Sequence, residues 1–99
     1  MNIQIHSIHF DADQKLIDFV NKKVSKLTQY ADNILGTEVF LRLNNSSEKD
    51  NKLVEIKVNV PGSDLFAKDQ SKSFEESVDN VVSALKKQLT KRKEKIRQL

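Results

Sequence analysis

Apolar side chains recur along this chain with two periods, and the switches between them mark its elements. Ile3 and Ile5 share one parity, while Ile8 and Phe10 fall on the other. A strand over residues 2–10 is expected, with a bulge or an early end where the phase changes near Ser7. Asp13 then stands where it can cap a helix running to about Asp32. Leu16, Ile17, Phe19, Val20, Val24, Leu27, Tyr30 and Ala31 recur at helical spacing within it. Further on, Thr37, Val39, Leu41 and Leu43 alternate with Glu38, Phe40 and Arg42. Val54, Ile56, Val58 and Val60 alternate with Glu55, Lys57 and Asn59, and Leu65 and Ala67 with Phe66 and Lys68. Such alternation predicts three one-sided strands in an antiparallel meander. Pro61-Gly62 marks a tight turn. The wholly polar stretch 44–51 reads as an exposed hairpin loop, longer than most.

The last element is a helix over residues 73–97. Ser73 and Glu76 have capping-box spacing, with Ser71 as the other candidate cap. Phe74, Val78, Val81, Val82, Leu85 and Leu89 form its apolar stripe, and Arg92 falls back on that stripe where a core residue belongs. At 1.5 Å per residue the helix spans about 37 Å, against about 20 Å for a typical strand. Its final turns should overhang the sheet. The order β-α-β-β-β-α, with a crossover through the first helix, makes the first two strands parallel. The expectation is an α+β two-layer sandwich: a four-stranded sheet with two helices on one face and the other face open to solvent. At 99 residues the chain reads as one domain over 1–99.

Composition narrows the function. With 37% hydrophobic and 31% charged residues the chain is globular. There is no Cys, which excludes disulfides, thiolate nucleophiles and Cys-ligated zinc. No apolar run exceeds three residues, and the start lacks a basic region followed by an apolar stretch, so a cytoplasmic protein is expected. The net charge of +3 hides an asymmetry: residues 86–99 carry seven basic groups against one acid, while residues 1–85 are net acidic by three. A basic end on an acidic body points to a polyanion partner.

Candidate chemistry is sparse. His6 and His9 are the only histidines, and in a regular strand positions i and i+3 diverge, so they form no metal pair. Pro61-Gly62-Ser63 lacks the Lys and second Gly of a phosphate loop. No nucleophile–base pair stands out, so neither an enzyme nor a cofactor is expected. The basic helix is the strongest signal. Favourable cations at a helix C-terminus explain two or three lysines, but not Lys86, Lys87, Lys91, Arg92, Lys93, Lys95 and Arg97 together. Lys15, Lys22, Lys23 and Lys26 on the first helix can extend the basic surface. Phe40 and Phe66 belong on the open sheet face, where cross-strand packing is favoured over base stacking.

The stretch Leu85-Lys86-Lys87-Gln88-Leu89-Thr90-Lys91-Arg92-Lys93-Glu94-Lys95 resembles the terminal signature of the ribosome hibernation promoting factors and the related ribosome-associated inhibitors. Leu16, Phe19-Val20, Lys23, Lys26-Leu27, Tyr30 and Asp32 resemble that family's first helix. Leu65-Phe66-Ala67, then Phe74 with Val78-Asp79, resemble its fourth strand and last helix. The resemblance implies a fold similar to a double-stranded-RNA-binding domain with an added first strand. It further implies binding to the small ribosomal subunit when growth slows, in the head–body cleft where messenger and transfer RNA run, so that translation is blocked sterically. By that resemblance Lys23, Lys26, Lys87, Lys91, Lys93 and Lys95 are ribosomal RNA contacts. Lys22, Lys86, Arg92 and Arg97 join them on charge and position. The family's glycine run after the third strand is here Pro61-Gly62-Ser63, and its tyrosine at the entry to the last helix is Phe74. The chain looks like a short form without a dimerisation domain and is expected to be monomeric when free. Two rival readings remain: a free double-stranded-RNA binder, and an interaction module docking its basic helix on an acidic protein.

Overall fold

The computed structural model describes residues 2–44 and 50–97, with side chains described up to Arg92. Its elements are β1 (Ile3–Ile8), α1 (Gln14–Ser25), a 3-10 turn (Lys26–Gln29), β2 (Gly36–Leu43), β3 (Lys52–Val60), β4 (Ser63–Ser71) and α2 (Phe74–Arg97). The sheet order is β1-β2-β3-β4, with β1 parallel to β2 and the other neighbours antiparallel. This is the expected β-α-β-β-β-α arrangement.

Alternation decides which sheet face is covered. Val39 and Leu41 of β2 and Val54, Ile56 and Val58 of β3 are fully buried. They meet Val20, Val24 and Leu27 from the first helical segment, and Phe74, Val78, Val81, Leu85 and Leu89 from α2, in one cluster. Both helices therefore lie on the same side. Leu65 and Ala67 of β4 pack against the cluster, and β4 runs two or more residues beyond each end of the Leu65–Ala67 alternation. The opposite face carries Phe40, Arg42, Glu55, Lys57 and Phe66, and Phe66 is 48% exposed. His6 stacks on Phe40 at 5.0 Å between centroids, the cross-strand packing expected there.

The phase change in β1 has a local cause. Its register with β2 is unbroken from Ile3 opposite Thr37 to Ile8 opposite Arg42, so the strand holds no bulge. It ends at Ile8, and His9 adopts a left-handed φ of 70°. That turn swings Phe10 back to the core side, where its ring stacks on Phe74 at 4.8 Å and 9°. The sequence expectation put Phe10 inside the strand; the left-handed residue reverses its side.

Caps set the helix starts. Asp13 Oδ1 accepts from the Leu16 amide at 2.9 Å. Ser73 Oγ accepts from the Glu76 amide at 3.1 Å, which settles the cap of α2 on Ser73. Ser71 instead joins buried Ser77, Oγ to Oγ at 2.7 Å, and Ser77 donates to Lys52 O at 2.7 Å. These bonds tie the start of β3, the end of β4 and the first turn of α2. The first helix stops short of Asp32 as an α-helix. Ser25 Oγ bonds back to Asn21 O, and Thr28 Oγ1 to Ser25 O, drawing carbonyls away from regular pairing. Pro61 and Gly62 make the two-residue β3–β4 turn, with Gly62 at φ 77°; a residue with a Cβ is strained there. Residues 45–49 of the polar loop lie outside the described residues.

Phe74 closes the core where β1's exit, β4's end and α2's start converge. Phe74→Ala is expected to cost about 3–5 kcal/mol, lowering Tm by well over ten degrees. Phe66→Ala on the open face should cost under about 1 kcal/mol. Thermal melts by circular dichroism compare the two. At His9, a Gly substitution should be neutral or stabilising, whereas Val should destabilise by about 1–2 kcal/mol, because only the left-handed backbone is at issue.

Candidate nucleic-acid interface

The basic side chains are distributed by the helical geometry just described. Val20, Val24 and Leu27 turn inward from the first helical segment, which turns Lys22 and Lys26 outward to solvent. On α2 the inward stripe leaves Lys86, Lys87 and Lys91 exposed. Lys86, Lys87, Gln88, Thr90 and Lys91 line one shallow depression on its outer side. Lys93, Lys95 and Arg97 lie on the last turns of α2, and their side chains fall outside the described residues.

The two helices meet along a seam, and two of the expected site residues sit in it. Lys23 Nζ lies 3.2 Å from Asp79 Oδ1 of α2 and 5.5 Å from the centroid of the Phe19 ring. Lys86 Nζ lies 5.0 Å from the centroid of the Tyr30 ring. Both rings present their electron-rich faces to a cation. Lys23 of α1 and Lys86 of α2 thus lie along the contact between the helical segments.

Arg92 differs from its neighbours. It continues the stripe of Phe74, Val78, Val81, Leu85 and Leu89, and it is half-buried. Its Nη2 donates to Pro61 O in the β3–β4 turn at 2.9 Å. The sheet ends at this turn, so no apolar partner is left for the stripe, and a polar carbonyl takes its place. The sequence pattern marked Arg92 as misplaced on the core face; the turn carbonyl is the partner that pattern analysis did not supply. Gln88 does similar work one turn earlier, donating to Phe66 O at 3.0 Å and covering part of the β4 edge.

The rest of the surface has a different character. On the open sheet face opposite charges stand across from one another: Glu38 is opposite Lys57 and Glu55 opposite Lys68, and Lys57 lies 3.7 Å from Asp64. Among the described residues no group of three or more His, Asp or Glu could hold a metal. No helix of the described residues is long and apolar enough to cross a membrane. The first turn of α2 carries Glu75 and Glu76, which suit a helix N-terminus and repel phosphate.

Residues 3–97 match the sigma 54 modulation protein / S30EA ribosomal protein family, and the chain belongs to it. It is 29% identical over 98 residues to a ribosome hibernation promoting factor of Klebsiella oxytoca, covering 99% of this chain and 97% of that protein. The factor of the same name from Escherichia coli K12 is likewise 29% identical, with 99% of each chain covered. Among solved structures, a ribosomal subunit interface protein from Coxiella burnetii superposes with a TM-score of 0.84 at 27% identity, covering 94% of this chain and 98% of that one. The N-terminal domain of Thermus thermophilus Protein Y superposes at 0.80 and 26% identity, covering 92% and 98%. These relatives are hibernation and subunit interface proteins, not enzymes.

The bond from Arg92 to the turn gives it a stability role that the exposed lysines lack. Arg92→Ala should cost about 1 kcal/mol through the lost charge-assisted bond, while Lys91→Ala should stay within about 0.5 kcal/mol of wild type. Urea unfolding midpoints measure both.

Proposed function

We propose that this chain binds the small ribosomal subunit through its helical layer and silences translation there. The observation that carries the reading is the segregation of free cations. Lys22, Lys26, Lys86, Lys87 and Lys91 are exposed on the helices, and none has a carboxylate partner among the described residues. Like charges this close raise the energy of the free protein, and an RNA backbone relieves it by neutralising them. The family's ribosome-associated relatives support ribosomal RNA as that backbone. Lys23, Lys93, Lys95, Arg92 and Arg97 are assigned to the same surface, with Arg92 also anchoring the helix.

Occupation of the head–body cleft follows as the mode of action. A basic rod projecting from a small body fits a channel that normally holds messenger and transfer RNA, and its presence excludes them. The principal extents of 48 × 23 × 19 Å make the molecule elongated, which supports this reading. Action under stress or in stationary phase, in the cytoplasm where ribosomes work, completes the proposal. Recognition of free RNA duplexes through the start of α2 is disfavoured by Glu75 and Glu76.

The test is a salt titration of binding to purified small subunits, paired with thermal melts. Lys87→Glu with Lys91→Glu should weaken binding at least tenfold and flatten the slope of log affinity against log salt by about 1.4–1.8, since each phosphate contact contributes roughly 0.7–0.9. Stability should barely move, because both side chains are exposed. Wild-type affinity and slope in the double reversal would sink the helical-layer mechanism and direct attention to the open face around Phe40 and Phe66.

A further inference from the structure

Among the described side chains of the proposed binding surface, Lys23 is the one lysine that already holds an anion. Its ammonium lies 3.2 Å from Asp79, with the Lys23 side chain 30% exposed and Asp79 52% exposed. The Phe19 ring lies below the same ammonium, so Lys23 is held between a ring and a carboxylate. Lys22, Lys26, Lys86, Lys87 and Lys91 have no carboxylate partner among the described residues, although Lys86 lies over the Tyr30 ring. A polyanion approaching the helical layer meets free cations on either side of a neutralised pair at the seam.

We propose that Asp79 is a specificity-determining residue, masking Lys23 from RNA phosphates that arrive without the geometry of the cognate site. The inference rests on the RNA-binding reading above. Phosphate contacts carry no sequence information, and every unmasked lysine strengthens binding to every polyanion. Specificity is a difference of affinities, and one way to raise it is an element that penalises wrong partners. Asp79 is such an element for two reasons. A lysine whose counter-charge is tethered to the protein releases no mobile counterion when phosphate binds, so it adds nothing to the salt-dependent affinity. The carboxylate's repulsion of a phosphate placed at the seam also cancels the attraction of Lys23 for it. A cognate RNA whose backbone straddles the seam, contacting Lys22 and Lys26 on one side and Lys87 and Lys91 on the other, escapes both penalties. Arbitrary RNA settling by charge alone does not.

The experiment compares wild type, Asp79→Asn, Lys23→Gln and the double variant. Each is titrated with salt against a short labelled RNA duplex of arbitrary sequence and against purified small subunits. Asp79 is half exposed and lies outside the core, so the fold tolerates the change; Asp79→Ser serves as a second variant. Asp79→Asn is expected to bind the duplex about two- to fivefold more tightly, the span of an exposed ion pair. Its salt slope should steepen by about 0.7–0.9, one added phosphate contact. Binding to small subunits should stay within about twofold, and adding Lys23→Gln should return duplex binding to the wild-type value. Unchanged duplex binding by Asp79→Asn overturns the proposal. So does a gain that persists without Lys23, or an equal gain on small subunits. Failure of wild type to bind small subunits would instead overturn the ribosome reading, while the duplex arm still reports on the mask.

Discussion

Everything in this molecule hangs on the burial of one stripe of α2 against one face of the sheet. Phe74, Val78, Val81, Leu85 and Leu89 run down the helix, and each buried apolar side chain contributes about 1.5–3 kcal/mol. The stripe can be covered on one side only, because the sheet alternates strictly and the first helix occupies the space beside it. The remaining arc of α2 is left to water, and it carries Glu75, Glu76 and Asp79 in its first turns and Lys86, Lys87 and Lys91 further on. The same constraint aligns α1 with α2, so the cations of both helices share a layer. The charged surface is a consequence of how the core is closed.

Charge segregation between the two faces follows the same logic. On the open face, neighbouring strands stand about 4.8 Å apart, and like charges opposite one another are unfavourable. Glu38 opposite Lys57, Glu55 opposite Lys68, and Lys57 beside Asp64 answer that constraint by pairing opposite signs. On a helix Lys86 and Lys87 diverge by about 100°, while Lys87 and Lys91, four residues apart, are neighbours that repel one another. The topology thus separates a charge-balanced sheet face from a helical layer whose exposed lysines lack carboxylate partners among the described residues.

How much of this could be read from the residues depends on how local each cause is. Strict alternation in β2 and β3 and the 3.6-residue stripe of α2 are local signals, and both elements formed as their patterns require. The Asp13 and Ser73 caps were equally visible, since their acceptors bond amides three residues on. The extent of β4 was less visible: Asp69 and Ser71 continue its inward parity as polar residues, and hydropathy gives no sign of them. The side on which Phe10 lies turns on one left-handed residue, His9, which no apolar period encodes. Arg92 shows the same limit from the other direction. Its place on the stripe was evident, but its partner, the Pro61 carbonyl, is 31 residues away in sequence and becomes a neighbour only once the hairpin folds.

The candidate site divides along that line too. Which residues are basic, and that they cluster, is sequence information. Which of them are free to meet a phosphate is tertiary information. Lys23 and Lys22 are adjacent and chemically identical, yet Lys22 points to solvent while Lys23 faces Asp79 across the seam. The pairing needs α1 and α2 to lie side by side, and they do so only because both bury apolar stripes on the same sheet face. The core thus sets which charges the surface offers as well as where it offers them. A change that shifted α1 against α2, with no basic residue touched, would alter the charge that this surface presents.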